Sequence, residues 1–195
     1  MIKGFVFGLV VANSFEWFAH KYILHGTHKS GQSRYSPVPT SMKSHWEHHK
    51  QVRKTDFFDC GYVEGIKNWR TKNEVVSLVV VATFFGVVFY PVSKGMSLAT
   101  LYSAMNYYYV HRRAHLDPDW AIRKVPWHYD HHMNSNQDAN WCVTKPWFDY
   151  VMGTRVVSSP NLQEQNIFGL SLPHSLAQPL NRLINRIRPV KYVKT

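Results

Sequence analysis

A chain of 195 residues suffices for one domain, and an apolar content of 45% excludes disordered, collagen-like and disulfide-scaffold classes. The formal net charge is +11, from 23 Lys and Arg against 12 Asp and Glu, which admits nucleic acid, anionic headgroups or acidic substrates as partners. Two cysteines, Cys60 and Cys142, build neither a disulfide framework nor a Cys-rich zinc site, and the abnormal count is histidine, with 12.

The first element is an apolar stretch from Gly4 to Ala19, interrupted by Asn13 and Glu16, which reads as a span reaching to about residue 24. Val10 and Ala12 loosely fit a signal-peptide cleavage pattern, but the single preceding Lys and the following Glu16 favour a retained segment. Val75 to Val92 is free of Asp, Glu, Lys, Arg and His, and as a helix it covers roughly 27 Å, close to the hydrocarbon thickness of a bilayer. After the break SKGMS comes Leu98 to Val110, also free of formal charge and ending in Tyr107, Tyr108 and Tyr109, a third span near 96–112. Basic residues crowd 26–74 and 113–195, whereas the other two faces carry only Lys3 and Lys94. The positive-inside rule therefore predicts both basic segments on the cytoplasmic side and the N-terminus outside. The membrane accounts for the basic excess, and no nucleic-acid motif is present. Leu176 to Ile187 reads as a short basic amphipathic helix after a Pro- and Gly-punctuated loop.

Ten histidines fall in four groups. His20 and His25 form H-x4-H; His45, His48 and His49 form H-x2-H-H; His111 and His115 form H-x3-H; His128, His131 and His132 form a second H-x2-H-H. Two H-x2-H-H groups arise by chance on the order of once in a thousand chains of this composition. On a helix, positions i, i+3 and i+4 share a face, so each such group presents several imidazoles to one side. His20 and His25 are about 140° apart on an ideal helix and need a bend or a wide site. Imidazole is the commonest protein metal ligand, and ten exceed the needs of one ion, so two ions are expected, with adjacent histidines such as His48 and His49 free to serve different ones. All four groups fall at or beyond the cytoplasmic ends of the spans, where they can converge. His28 and His174 fit no group. Glu16, Glu47, Asp130, Asn134, Asp138 and Asn140 are candidates to accept hydrogen bonds from imidazole N–H groups, with Asp149 a structural residue. Trp17, Phe18, Tyr108 and Trp127 are candidates to line a lipid path.

The order H-x4-H, H-x2-H-H, H-x3-H, H-x2-H-H, together with NQDANWCVTKPWFDYVMGT from Asn136 to Thr154, resembles the fatty acid hydroxylase/sterol desaturase superfamily over about Glu16 to Thr154. That resemblance implies an all-α integral membrane protein: a small transmembrane helix bundle capped by a cytosolic helical domain that holds a histidine-rich dimetal site. It implies His20, His25, His45, His48, His49, His111, His115, His128, His131 and His132 as ligands of two Fe ions, with Zn as a recombinant substitute. It further implies O2 as co-substrate and hydroxylation, or sometimes desaturation, of a lipid C–H bond. The sequence shows three spans where four are common in that family and no fused cytochrome b5 or ferredoxin-like domain, so the electron donor is expected to be a separate protein of that kind. A carotenoid ring hydroxylase shares these boxes, and the segment after the last one favours the acyl or sterol side by resemblance. A metal transporter would place ionisable residues at mid-membrane, which Val75 to Val92 and Leu98 to Val110 lack. A haem protein using pairs such as His111 and His115 is the third rival.

Overall fold

A computed structural model describes residues 1–26, 40–170, 172–187 and 189–193. The chain is mostly helical. Helix α1 (Ile2–Phe18) runs directly into a π-helical turn (Ala19–Leu24), and α2 (Thr40–Lys54) follows. After α3 (Gly61–Glu64) come two long helices, α4 (Trp69–Phe89) and α5 (Lys94–Leu116). The short helices α6 (Pro118–Lys124), α7 (Pro126–Met133) and α8 (Trp147–Met152) lead to α9 (His174–Ile187). Two two-residue strands, β1 (Val156–Val157) and β2 (Lys191–Tyr192), pair in parallel.

Capping chemistry sets the helix starts. Asn68 accepts from the Arg70 N–H at 3.1 Å and opens α4, and Asp117 accepts from the Trp120 N–H at 3.0 Å, with Pro118 fixing the first turn of α6. Ser93, after the four-residue break from α4, caps α5.

Among the described residues two helices are long and apolar enough to cross a membrane, Ile2–Leu24 and Trp69–Phe89, with only 17% and 11% of their most apolar windows buried inside the protein. A core helix of a water-soluble protein hides its apolar face; α4 instead exposes Val76, Val79, Val80, Phe84, Val87 and Val88. The third expected span lies within α5, which is continuous from Lys94 to Leu116 but does not reach the same apolarity. Its position explains the difference: α5 packs between α1 and α4 and presents less surface outward. The expected boundary near residue 75 also shifts, because α4 starts at Trp69 and carries Arg70, Lys72 and Glu74 in its first turns.

Small residues bring these helices together. A Cβ at Gly8 would lie 2.6 Å from the Ala99 Cβ, and one at Gly95 would lie 2.2 Å from the Met1 carbonyl oxygen, so α1 and α5 touch backbone to backbone. Ser97 on α5 donates to the Gly86 carbonyl of α4 at 2.7 Å. Close approach at glycine plus an interhelical hydroxyl bond is the packing mode of helices that lack a hydrophobic drive between them.

Candidate metal centre

Each histidine group is placed by a local feature of its element. An i→i+5 ring brings the fifth residue along over its own carbonyl, so the π-helical turn stacks His20 and His25. The His25 N–H donates to the His20 carbonyl at 3.0 Å, and the two rings lie 5.1 Å apart. This replaces the 140° separation of a regular helix and makes H-x4-H a one-sided pair. On α2, His45, His48 and His49 are all buried; on α5, His111 and His115 share a face; on α7, His128, His131 and His132 are buried together.

The imidazoles form two groups. Ligand atoms of His20, His25, His45, His49 and His131 lie within 4.8 Å of one another, as do those of His48, His111, His115 and His132. His128 adjoins the second group, its Nε2 3.2 Å from that of His115. Each H-x2-H-H is thus divided: His45 and His49 from His48, and His131 from His132. The ring nitrogens are close, with Nε2–Nε2 separations of 3.0 Å for His20 and His45, 3.1 Å for His49 and His45, and 3.2 Å for His131 and His25.

The protons show what these nitrogens face. His48 Nδ1 lies 2.7 Å from the Asp59 carboxylate and His115 Nδ1 lies 2.9 Å from the Phe57 carbonyl; both acceptors require the hydrogen on Nδ1. Burial and neighbouring imidazoles hold the pKa of both rings well below the ordinary value of 6.5, so both are neutral and their Nε2 atoms are bare. Those two lone pairs point at each other across 3.1 Å. The contact repels unless a cation lies between them, and nitrogens held cis on one ion at about 2.1 Å are about 3.0 Å apart. His132 leaves both ring nitrogens, and His111 its Nε2, buried without a hydrogen-bond partner among the described residues. The donor set fits metal ions.

Backbone carbonyls and two carboxylates orient the rings. His20 Nδ1 contacts the Trp141 carbonyl at 2.5 Å, and His131 Nδ1 contacts the Ala139 carbonyl at 2.7 Å. Asp56 and Phe57 at φ 49° and 77°, and Asn140 at φ 60°, adopt left-handed conformations, so this backbone shape occurs beside each carbonyl that receives a histidine. Holding Phe57 there costs of order 1–3 kcal/mol, maintained by the packing around it. Asp149 accepts from the Trp141 and Cys142 N–H groups, each at 2.8 Å, and so shapes the loop that offers those carbonyls. The carboxylates are Asp59 and Glu74, the latter 2.6 Å from His111 Nδ1 and bonded to the Tyr62 hydroxyl at 2.6 Å.

These partners are not the expected ones. Among the described residues, none of Glu16, Glu47, Asp130, Asn134, Asp138 and Asn140 hydrogen-bonds an imidazole. Glu16 accepts from the Val143 and Thr144 N–H groups and the Thr144 hydroxyl, which ties α1 to the 139–148 segment. Asp130 and Asn140 accept from the buried Arg155, at 2.9 and 3.2 Å, because Asp130 faces away from His131 and His132 on α7. The Asn134 side chain accepts from the Asn136 N–H, and Asp138 stays in its loop. Asp59 and Glu74 were missed because they reach their histidines only through the tertiary fold; Glu74, an acid at the lip of an apolar run, was the available signal. His28 lies outside the described residues, and so does the side chain of His174.

A cavity of about 700 Å³ opens between α1, α4 and α5 onto His20, His45, His48 and His111. Its walls are polar near Ser44, Asp59, Tyr62, Asn73 and Glu74 and apolar toward Val81, Phe85 and Phe89. Of the four aromatics expected along a lipid path, only Phe18 lines it. Trp127 is packed in the core with its N–H on the Val143 carbonyl, Trp17 donates to Thr154, and Tyr108 lies near Tyr62.

No curated protein and no solved structure matches this chain significantly. The family model described as fatty acid hydroxylase matches residues 5–154, which takes in all ten clustered histidines, all of Trp69–Phe89 and most of Ile2–Leu24. The chain belongs to the fatty acid hydroxylase family, within the fatty acid hydroxylase/sterol desaturase superfamily.

Proposed function

We propose that the protein is an integral membrane lipid hydroxylase that holds two metal ions, iron in the working enzyme, and oxidises a C–H bond of a fatty acyl or sterol-like lipid with O2. The observation that carries this reading is the facing pair of bare Nε2 atoms on His48 and His115, of which His48 lines a cavity sized for a lipid chain. Breaking an unactivated C–H bond is beyond any side chain, and bound iron would supply the redox chemistry.

The residues of the chain do the rest. His20, His25, His45, His49 and His131 would hold one ion, and His48, His111, His115 and His132, with His128, the other. The apolar wall between α1, α4 and α5 takes the lipid tail from the bilayer and excludes water. From Asn73 to Phe89 that wall runs about 24 Å along α4. In this reading α1, α4 and α5 form the transmembrane bundle, and the basic excess of 26–74 and 113–195 supports a cytoplasmic position for the histidine layer. Each turnover would consume O2, two electrons and two protons, place one oxygen atom in the lipid and release the other as water, with the electrons drawn from a donor protein of cytochrome b5 or ferredoxin type.

The test pairs elemental analysis of freshly purified active protein with lipid profiles of cells with and without the gene. Two ions per chain and an oxygenated acyl or sterol-like lipid are expected. One ion or none, a Soret band, or an unsaturated or ring-hydroxylated carotenoid product would replace this reading.

A further inference from the structure

We propose that Asp59 and Glu74 are positioning residues that make the metal position of His48, His111, His115 and His132 the tighter of the two. The proposal rests on the two-metal reading and concerns how the two positions differ. In the group of His20, His25, His45, His49 and His131, the acceptors on ring N–H groups are backbone carbonyls, those of Trp141 and Ala139. Among the described residues no carboxylate bonds an imidazole of that group. In the second group, Asp59 takes the His48 N–H at 2.7 Å and Glu74 meets His111 Nδ1 at 2.6 Å.

A carbonyl offers a dipole, whereas a carboxylate offers a full negative charge. Bonded to an imidazole N–H, the charge makes the opposite nitrogen a stronger donor and partly offsets that of the ion. The effect grows as solvent is excluded, and both carboxylates line the polar part of the cavity with most of their side-chain surface buried. The two differ in strength. Asp59 is partly neutralised by the Arg70 guanidinium at 2.8 Å and also accepts from the Gly61 N–H. Among the described residues Glu74 receives only the uncharged Tyr62 hydroxyl besides His111, so it keeps more of its charge for the imidazole. Glu74 is therefore the larger contributor.

The experiment titrates metal-stripped protein in detergent with Co2+, followed by visible absorption and native mass spectrometry. Two backgrounds isolate the positions: His49→Ala disables the carbonyl-backed group and His115→Ala the carboxylate-backed one. In His49→Ala, the ion that remains should bind about 10–100-fold more weakly once Glu74→Gln is added, and less so with Asp59→Asn. In His115→Ala, neither added change should move the remaining ion. Equal weakening in both backgrounds, or none in either, overturns the proposal. Parent protein that binds fewer than two ions overturns the two-metal reading instead. Circular dichroism checks each variant, and where Glu74→Gln does not fold, Asp59→Asn in the same backgrounds decides between the same outcomes.

Discussion

In the layer of α1, α4 and α5, outward-facing side chains are mostly apolar or aromatic, such as Val79 and Phe84 on α4 and Leu101 and Tyr109 on α5, and the helices touch through Gly8, Gly95 and Ala99. In the histidine layer beside it the arrangement is reversed. Lys43, Lys50 and Lys54 face outward from α2, and the interior holds histidines, Asp59, Asp130, Asp149 and Arg155. One layer is stable where its surroundings are apolar, and the other where its buried polar groups find partners. The histidine groups of the second layer fit cations, so a bound ion would add to the stability of that layer. The contrast also explains where the cavity lies: apolar wall from the first layer, polar end from the second.

The sharpest way to break this contrast is to remove an imidazole. His48→Ala, His115→Ala or His131→Ala should abolish lipid oxidation and lower metal affinity by more than the roughly 100-fold upper range of a partner-residue change, whereas His28→Ala and His174→Ala should keep most activity. Metal content and product yield on purified variants check this. A lone histidine as essential as the clustered ten would enlarge the ligand set.

Arg155 comes next. It bonds Asp130 at 2.9 Å and Glu164 at 2.7 Å inside the histidine layer. Arg155→Met strands both carboxylates and should cost about 3–5 kcal/mol, read from denaturant unfolding. A loss under about 1 kcal/mol would show that the interior tolerates bare charge.

Acid should act on the same layer. Burial pushes His131 from 6.5 down to about 4, so the unfolded chain binds the extra proton first as pH falls. Stability of the metal-free protein should hold above about pH 6.5 and fall toward pH 4, by about 3 kcal/mol at His131 alone. Thermal melts across that range, with bound metal released over the same interval in the loaded protein, measure it; stability that rises on acidification would reverse the sign.

In the apolar layer, Val79 sits at the centre of α4 and is 59% exposed. Val79→Arg should lower membrane insertion by about 2.5–3.5 kcal/mol, measured by a glycosylation-tag insertion assay. Unchanged insertion would mean that this face meets water. The smallest effect is expected at the seam, where Trp17 donates to the Thr154 hydroxyl at 3.0 Å. Trp17→Phe should cost about 0.5–1.5 kcal/mol in thermal unfolding, and no change would show that Glu16, through Thr144, holds the seam without it.

The sequence by itself determined the two apolar helices, the continuous third helix and the clustered histidines, because each is a local property: a charge-free run, or spacings of three and four that share a helical face. The division into two groups needed the fold. Only the packing of α2 against α7 and the π-helical turn sends His49 one way and His48 the other. The turn itself escaped a periodicity argument, since H-x4-H on a regular helix points two ways. The partners of the imidazoles were the least legible. Asp130, Asn134, Asp138 and Asn140 lie near the boxes in sequence, yet nearness along the chain says nothing about which way a side chain faces. Asp59 and Glu74 are 11 and 37 residues from the histidines they hold, and backbone carbonyls at Phe57, Ala139 and Trp141 carry no sequence signature at all. Which acceptor meets which imidazole was decided by the tertiary structure, because a hydrogen bond is set by distance and direction in space.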